Sequence, residues 1–405
     1  MGPEAHSAMH EHGAPLDHLR QWLSGQEGLL RELGALFDPV AFASRMCEAA
    51  RAAGIEAPMA EVIEALRPDP LGLSRWQAPP VNPQGWPGPG WFPARSLMTA
   101  DSTGAPSVHI DWAWLGDRQF DLPFYEDTVR QSGSLPLSQF LRARTGLDAL
   151  LAGWRAEPDP VVPAGLVFHL SRCGSTLLAR MLQQWPGCYA ASEPEPLDAI
   201  IQWASLAQLP DSEKVTLIRA MVAAIGRNRP SSEARFFIKL DCWHIVALPL
   251  LRAVFPDTPW IFLSRDPIEV AVSQLAMPGI QVVPGLLGSA ILGIEGGEEM
   301  AQEEYIARVL GRICHAAADH GAGDGGMFVD YRDLSVAMRD AIPAHFGLAA
   351  DDGTAALLDS LTAVSAKEPA KRFSPDSENK RSAASSLLKE QVLMHATPWY
   401  QKLMM

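Results

Sequence analysis

The chain is short of cysteine, of positive charge and of long apolar runs, and each shortage removes a class of protein. Cys47, Cys173, Cys188, Cys242 and Cys314 are scattered, odd in number and free of CxxC spacing. Neither a disulfide framework nor a structural zinc site is indicated, and a reducing, cytoplasmic compartment is expected. Lysine and arginine number 33 against 47 aspartates and glutamates, a net charge of −14. That balance argues against nucleic acid or an anionic membrane surface as partner, although a local basic pocket is compatible with it. A membrane span needs about 18 apolar residues in a row. The most apolar long segment, Ile245 to Leu263, is broken by Pro249, Arg252, Pro256, Asp257 and Pro259. The first residues lack a basic start and an apolar core, so no secretory signal is visible, and His6, His10, His12 and His18 read as part of a polar tail rather than as metal ligands. No internal repeat is present.

What remains is a chain of 405 residues, 47% apolar, long enough for one large domain or two ordinary ones. Its first part is expected to be a mainly helical accessory region, 1–158, holding a short strand pair and a proline- and tryptophan-rich segment. Apolar residues at helical spacing fall between Leu16 and Phe37, with a break near Ser24-Gly25. Asp38-Pro39 supplies an N-cap and a first-turn proline for a second helix ending near Gly54, and a third runs from Pro58 to Leu66. The proline- and glycine-rich stretch Pro68 to Pro93 cannot carry a regular ladder and should wrap a surface with Trp76, Trp86 and Trp91 inward. Ser107 to Leu115 alternates like a half-buried strand. His109 and Asp111 share one face of it, as two legs of an iron facial triad would, but no distal histidine completes the set, and a strand edge facing solvent is the plainer account. Helices follow near Phe124–Gln131, Pro136–Arg144 and Leu147–Trp154, and the proline-rich run from Glu157 to Pro163 reads as a linker.

From residue 159 onward the pattern changes to buried strands alternating with amphipathic helices. Strands are expected near Leu166–Leu170, Cys188–Ala191, Phe236–Leu240, Trp260–Ser264 and Met327–Tyr331. Such alternation implies an α/β fold, a parallel sheet covered by helices, with ligands beyond the carboxyl ends of the strands. Four of these strands lead directly into polar residues: Ser171-Arg172, Ser192-Glu193, Asp241 and Arg265.

The first strand turns through Ser171-Arg172-Cys173-Gly174-Ser175-Thr176 into a helix beginning near Leu177. A helix start that follows a turn of small residues presents backbone N–H groups to an anion. Gly174 allows close approach, Ser175 and Thr176 add hydroxyls, and Arg172 adds a planar cation. A nucleotide hydrolase or kinase would carry Gly-Lys-Ser/Thr here, and no Gly-Lys pair precedes a serine or threonine anywhere in the chain.

Here the sequence resembles the PAPS-dependent sulfotransferase family, in its bacterial and tyrosylprotein-like variants, which holds the donor's 5′-phosphosulfate with a strand-loop-helix motif of similar form. Arg172 would match the family's basic residue, stabilising with the loop amides the charge that develops on the bridging oxygen, and Gly174, Ser175 and Thr176 its Gly-Thr-Thr, whereas Ser171 and Cys173 depart from its commonest residues. Ile261-Phe-Leu-Ser-Arg265-Asp-Pro-Ile-Glu-Val-Ala-Val-Ser273 resembles the family's 3′-phosphate motif. The resemblance implies a P-loop-like fold, PAPS as co-substrate with no metal, PAP as product and a hydroxyl-bearing small molecule or peptide as acceptor. It implies Glu193 as the base that takes the acceptor proton. The cytosolic branch of the family uses a histidine two residues after a lysine at the end of the third strand; Lys239-Leu-Asp241 puts an aspartate there, with His244 three residues on, so Asp241 and His244 are further candidates. Tyr331, in a segment like the family's Tyr-Glu-Asp-Leu element, and Arg372, Lys380 and Arg381, in a basic loop that would close on the 3′-phosphate, complete the expected donor site. Met277 to Gly297, with six glycines and two prolines, is placed like a lid or acceptor loop. A P-loop kinase with an unusual loop, or a nucleotide-binding protein without activity, is the alternative.

Overall fold

The computed structural model describes residues 14–66, 81–100, 106–207, 209–228, 230–287, 289–321, 323, 325–363 and 377–405. Four helices open the described chain: α1 (Ala14–Ser24), α2 (Glu27–Gly34), α3 (Pro39–Ala52) and α4 (Met59–Ala65). The start of α3 follows the expected chemistry. Asp38 accepts a hydrogen bond from the Ala41 amide at 2.8 Å and Pro39 stands in the first turn, where its missing N–H costs nothing.

An antiparallel three-stranded sheet follows, in the order β1 (Trp91–Ala100), β2 (Pro106–Trp114), β3 (Ala143–Gly146). Between β2 and β3 lie α5 (Tyr125–Gly133) and α6 (Pro136–Phe140), and α7 (Leu147–Ala156) comes after. Val108, Ile110, Trp112 and Trp114 are all buried, as their alternation requires. Trp91 is buried and Trp86 half-buried, its indole N–H donating to the Leu150 carbonyl at 2.9 Å, while Trp76 lies outside the described residues.

The second sheet is parallel throughout and ordered β5-β6-β4-β7-β8. Its strands are β4 (Gly165–His169), β5 (Cys188–Ser192), β6 (Arg235–Lys239), β7 (Trp260–Ser264) and β8 (Gly326–Asp330), each within a residue or two of its expected place. Helices fill the crossovers: α8 (Ser175–Gln184), α9 (Glu195–Leu206) and α10 (Asp211–Gly226), α11 (Leu248–Val254), then α12 (Pro267–Ala276), α13 (Ser289–Leu292) and α14 (Gln302–His320). After β8 come α15 (Leu334–Ala337), α16 (Ala341–His345), α17 (Asp352–Thr362), α18 (Ser377–Ala383), α19 (Ser386–His395) and α20 (Thr397–Leu403).

All five residues of β4 are buried, and successive side chains feed different cores. Leu166 and Phe168 join a large cluster that also holds Leu19, Phe42 and Trp112 of the earlier elements, whereas Val167 joins a second cluster with Leu178, Met181 and Phe346. A strand buried on both faces reads as an unbroken apolar run, which is why β4 was visible in the sequence. Because the chain leaves β4 toward β5 on one side and the later strands β7 and β8 lie on the other, the crevice beyond the end of β4 is where such a sheet opens for a ligand.

Candidate donor and transfer site

The turn after β4 is held in an uncommon conformation. Among the described residues only three besides glycine have positive φ: Ser171 at 72°, Arg172 at 51° and Glu193 at 53°. All three stand just past the ends of β4 and β5. Left-handed backbone costs on the order of 1 kcal/mol per residue and persists where surrounding structure enforces it. Gly174 has φ of 85°, and a Cβ there would come within 2.5 Å of the Leu334 side chain, so this position needs glycine for both reasons. The turn delivers Ser175 and Thr176, both buried, to the first turn of α8. Cys173 points away from the turn: its thiol donates to the Leu263 carbonyl at 3.3 Å, and burial pushes it up to about 11, so it serves as packing. Leu177 is half-buried beside the second cluster.

Arg265 meets this turn directly. Its guanidinium donates to the Arg172 carbonyl at 3.3 Å and to Glu269 at 2.7 Å, and it lies 4.2 Å from the centre of the Tyr331 ring. Two segments more than ninety positions apart in the chain therefore share one edge of the sheet. Glu269, buried in the first turn of α12, spends its other oxygen on Arg381 at 2.8 Å, and Arg381 also reaches Asp266 at 3.1 Å. The basic segment near the C-terminus is thereby fastened to the Arg265 turn, with Lys380 beside Arg381 on α18; Arg372 lies outside the described residues. Ser273 lies on the same helix and donates its hydroxyl to the Glu269 carbonyl one turn earlier, at 2.9 Å. The Arg172 guanidinium donates to the Met277 carbonyl at 2.8 Å, tying the turn to the Met277–Gly297 stretch. Gln274 reinforces that tie: its amide N–H₂ donates to Ser171 at 3.0 Å and its carbonyl oxygen accepts from the Gly279 amide at 2.8 Å. Val282, Leu287 and Leu292 of the stretch are buried, whereas Met277, Ile280 and Leu286 are exposed.

Beyond β5 and β6 lies a different set of groups. Glu193 forms an ion pair with Lys239, which is buried at the end of β6, and stands 3.2 Å from His169 Nε2. His169 Nδ1 accepts from the Ser171 amide at 3.0 Å, so its proton sits on Nε2, facing Glu193 and the Leu240 carbonyl. Burial alone would raise the Glu193 carboxyl; Lys239 and His169 outweigh it and hold it well below the usual carboxylate range. The opposite holds for Asp241, where burial and the Glu193 charge push the carboxyl up to about 8. His244 is committed elsewhere. Its Nδ1 accepts from the Asp241 amide at 3.2 Å and its Nε2 meets Asp198 at 2.8 Å; burial pulls the imidazole down, but Asp198 prevails and raises it. Asp198, Asp241 and His244 bring ligand atoms within 4.8 Å of one another, yet both ring nitrogens and much of Asp198, which also accepts from Trp243 at 2.8 Å and Gln202 at 2.7 Å, are already used in hydrogen bonds. In the N-terminal sheet, Asp111 binds Arg144 at 2.6 Å and Arg95 at 3.1 Å, so the carboxylate weighed as an iron ligand is spent on two guanidiniums.

Residues 166–284 match the sulfotransferase family. The matched stretch contains both the turn after β4 and the Arg265 turn. Solved structures similar to this chain include the sulfotransferase domain from the curacin biosynthetic pathway (12% identical, covering 58% of this chain and 98% of that one, TM-score 0.35). A sulfotransferase of Mycobacterium tuberculosis is 16% identical over 61% of this chain and 82% of its own, with TM-score 0.35. One from Mycobacterium avium is 13% identical over 60% and 81%, with TM-score 0.37. No curated protein matches the chain in sequence. Among the described residues no helix is long and apolar enough to cross a membrane.

Lys239, His169, Glu269 and Gln274 were not singled out as site residues from the sequence. A lysine ending an apolar strand and a glutamate one turn after Arg265 were visible signals; the pairing of Gln274 with Ser171 was not, because nothing local connects them.

Proposed function

We propose that this chain transfers a sulfuryl group from PAPS to a hydroxyl acceptor, releasing PAP. The observation that carries the reading is the contact between Arg265 and the Arg172 carbonyl, which brings the two donor-binding segments to one edge of the sheet. In this reading the amides and hydroxyls of the turn after β4 hold the 5′-phosphosulfate, and Arg265, steadied by Glu269, meets the 3′-phosphate with Ser273, Lys380 and Arg381 near it. Tyr331 backs Arg265 with its ring.

The acceptor oxygen attacks sulfur, the bond from sulfur to the bridging oxygen breaks, and the electron pair leaves with PAP. Placement and charge stabilisation dominate such a transfer. Lys239 is the cation best placed for the charge that develops, and Glu193 is the base. Asp241 keeps its proton at neutral pH, and both nitrogens of His244 are engaged, so neither suits that role. A depressed carboxyl is a weak base while Lys239 neutralises it. As charge gathers on the sulfuryl oxygens beside Lys239, they share its field with Glu193, which regains basicity at the moment the hydroxyl proton must leave.

Incubation with PAPS and a panel of phenols and alcohols, followed by mass spectrometry, tests the reading. A sulfated product with equimolar PAP is expected; saturable binding of ATP with magnesium, without binding of PAP, would turn the reading toward a kinase.

A further inference from the structure

The earlier part of the chain reaches the transfer site through an aromatic ring. Between β2 and α5 the backbone passes the donor helix, where Gln183 of α8 donates to the Leu122 carbonyl at 3.1 Å. Two residues later the Phe124 ring centre lies 5.2 Å from Lys239 Nζ. Phe124 is the extended N-cap residue of α5, with φ of −128° and ψ of 148°. Its neighbour Tyr125 is buried and donates its hydroxyl to the Pro93 carbonyl at 2.6 Å. The ring thus comes from outside the stretch, residues 166–284, that matches the sulfotransferase family, while Gln183 within that stretch helps to hold it.

Lys239 is only 2% exposed, and its ammonium has the Glu193 carboxylate, the Ser192 hydroxyl at 3.4 Å and this ring as surroundings. A buried ammonium is costly unless its charge is met on several sides. A ring face meets charge without accepting a strong, directed hydrogen bond, so it can hold the ammonium in place while leaving N–H groups for an incoming oxygen. Leucine at the same position would fill the space and supply no such field.

We propose that Phe124 is a positioning residue for Lys239, so that the N-terminal region completes the transfer site. The inference rests on the sulfuryl-transfer reading above. The test uses the whole chain, with Phe124→Leu and Phe124→Tyr variants, PAP affinity by calorimetry, and PAP formation from PAPS in water with 4-nitrophenol as acceptor. Phe124→Leu is expected to lower kcat about 5- to 30-fold, the range of a desolvated cation–π contact, with PAP affinity within about twofold. Phe124→Tyr keeps the ring and is expected to stay within about threefold of the parent in kcat. A Leu variant at the parental rate, or a Tyr variant as slow as Leu, overturns the proposal. A parent chain that fails to bind PAP instead overturns the donor-site reading, and one that binds PAP but forms none from PAPS overturns the role given to Lys239 and with it that of Phe124.

Discussion

The ends of β4 and β7 and the ends of β5 and β6 belong to one sheet edge, yet they solve opposite problems. The first pair gathers donors: helix-start amides, hydroxyls and the guanidiniums of Arg265 and Arg381 held by Glu269. The second gathers mutually opposed titratable groups, with Glu193 held low by Lys239 and His169 while Asp241 nearby is pushed up to about 8. A site that must grip a multiply charged donor needs a fixed field, and a site that must move a proton needs groups whose proton affinities differ. Binding and turnover should therefore separate along this line.

Substitutions can break that separation or sharpen it. Lys239→Met should have the largest effect, lowering kcat about 10²- to 10³-fold, as loss of a charge-stabilising donor does, with PAP affinity changed by less than about threefold; steady-state rates beside calorimetry check this, and a parallel loss of PAP affinity would erase the distinction. Arg265→Met should do the reverse, weakening PAP by about 100-fold, the worth of a charge-assisted contact of about 2–3 kcal/mol, while Arg381 keeps Glu269 neutralised.

Asp241→Asn addresses the proton side. A carboxyl at about 8 in the folded chain and near 3.9 when unfolded binds its proton more tightly in the native state. Stability from this group is therefore present below about pH 4 and lost as pH climbs to about 8. Urea unfolding should show the Asn variant gaining on the order of 1–2 kcal/mol over the parent at pH 9 and little at pH 5, after allowance for relaxation around a buried group. An identical pH slope for both chains would remove Asp241 as a perturbed group. Asp111→Asn, on the outlying sheet, should have the smallest effect, leaving kcat and PAP affinity within about twofold because its ion pairs with Arg95 and Arg144 serve that sheet.

The donor side was legible because its signals are local. An apolar five-residue strand, a turn of small residues and a helix start stand together at 165–184, and Arg265, Pro267 and Ser273 repeat the logic within a dozen residues. The other side was legible only in part. Glu193 could be named from its place after β5, but its proton affinity is set by Lys239 and His169 from neighbouring strands, and no local spacing encodes those contacts. Phe124 was read only as the start of a helix, since its approach to Lys239 depends on packing between distant elements. The Asp111 ion pairs were hidden for the same reason: Arg95 and Arg144 reach it from two different strands.

The convergence of the two donor segments on one nucleotide is tested most directly by comparing PAP with AMP, which differ by the 3′-phosphate, in calorimetric titrations of the parent and of Arg265→Met. The parent should bind PAP at least about 100-fold more tightly than AMP, and the variant should lose most of that preference while binding AMP as before. Equal affinity of the parent for both nucleotides, or a preference untouched by the loss of Arg265, would contradict the account.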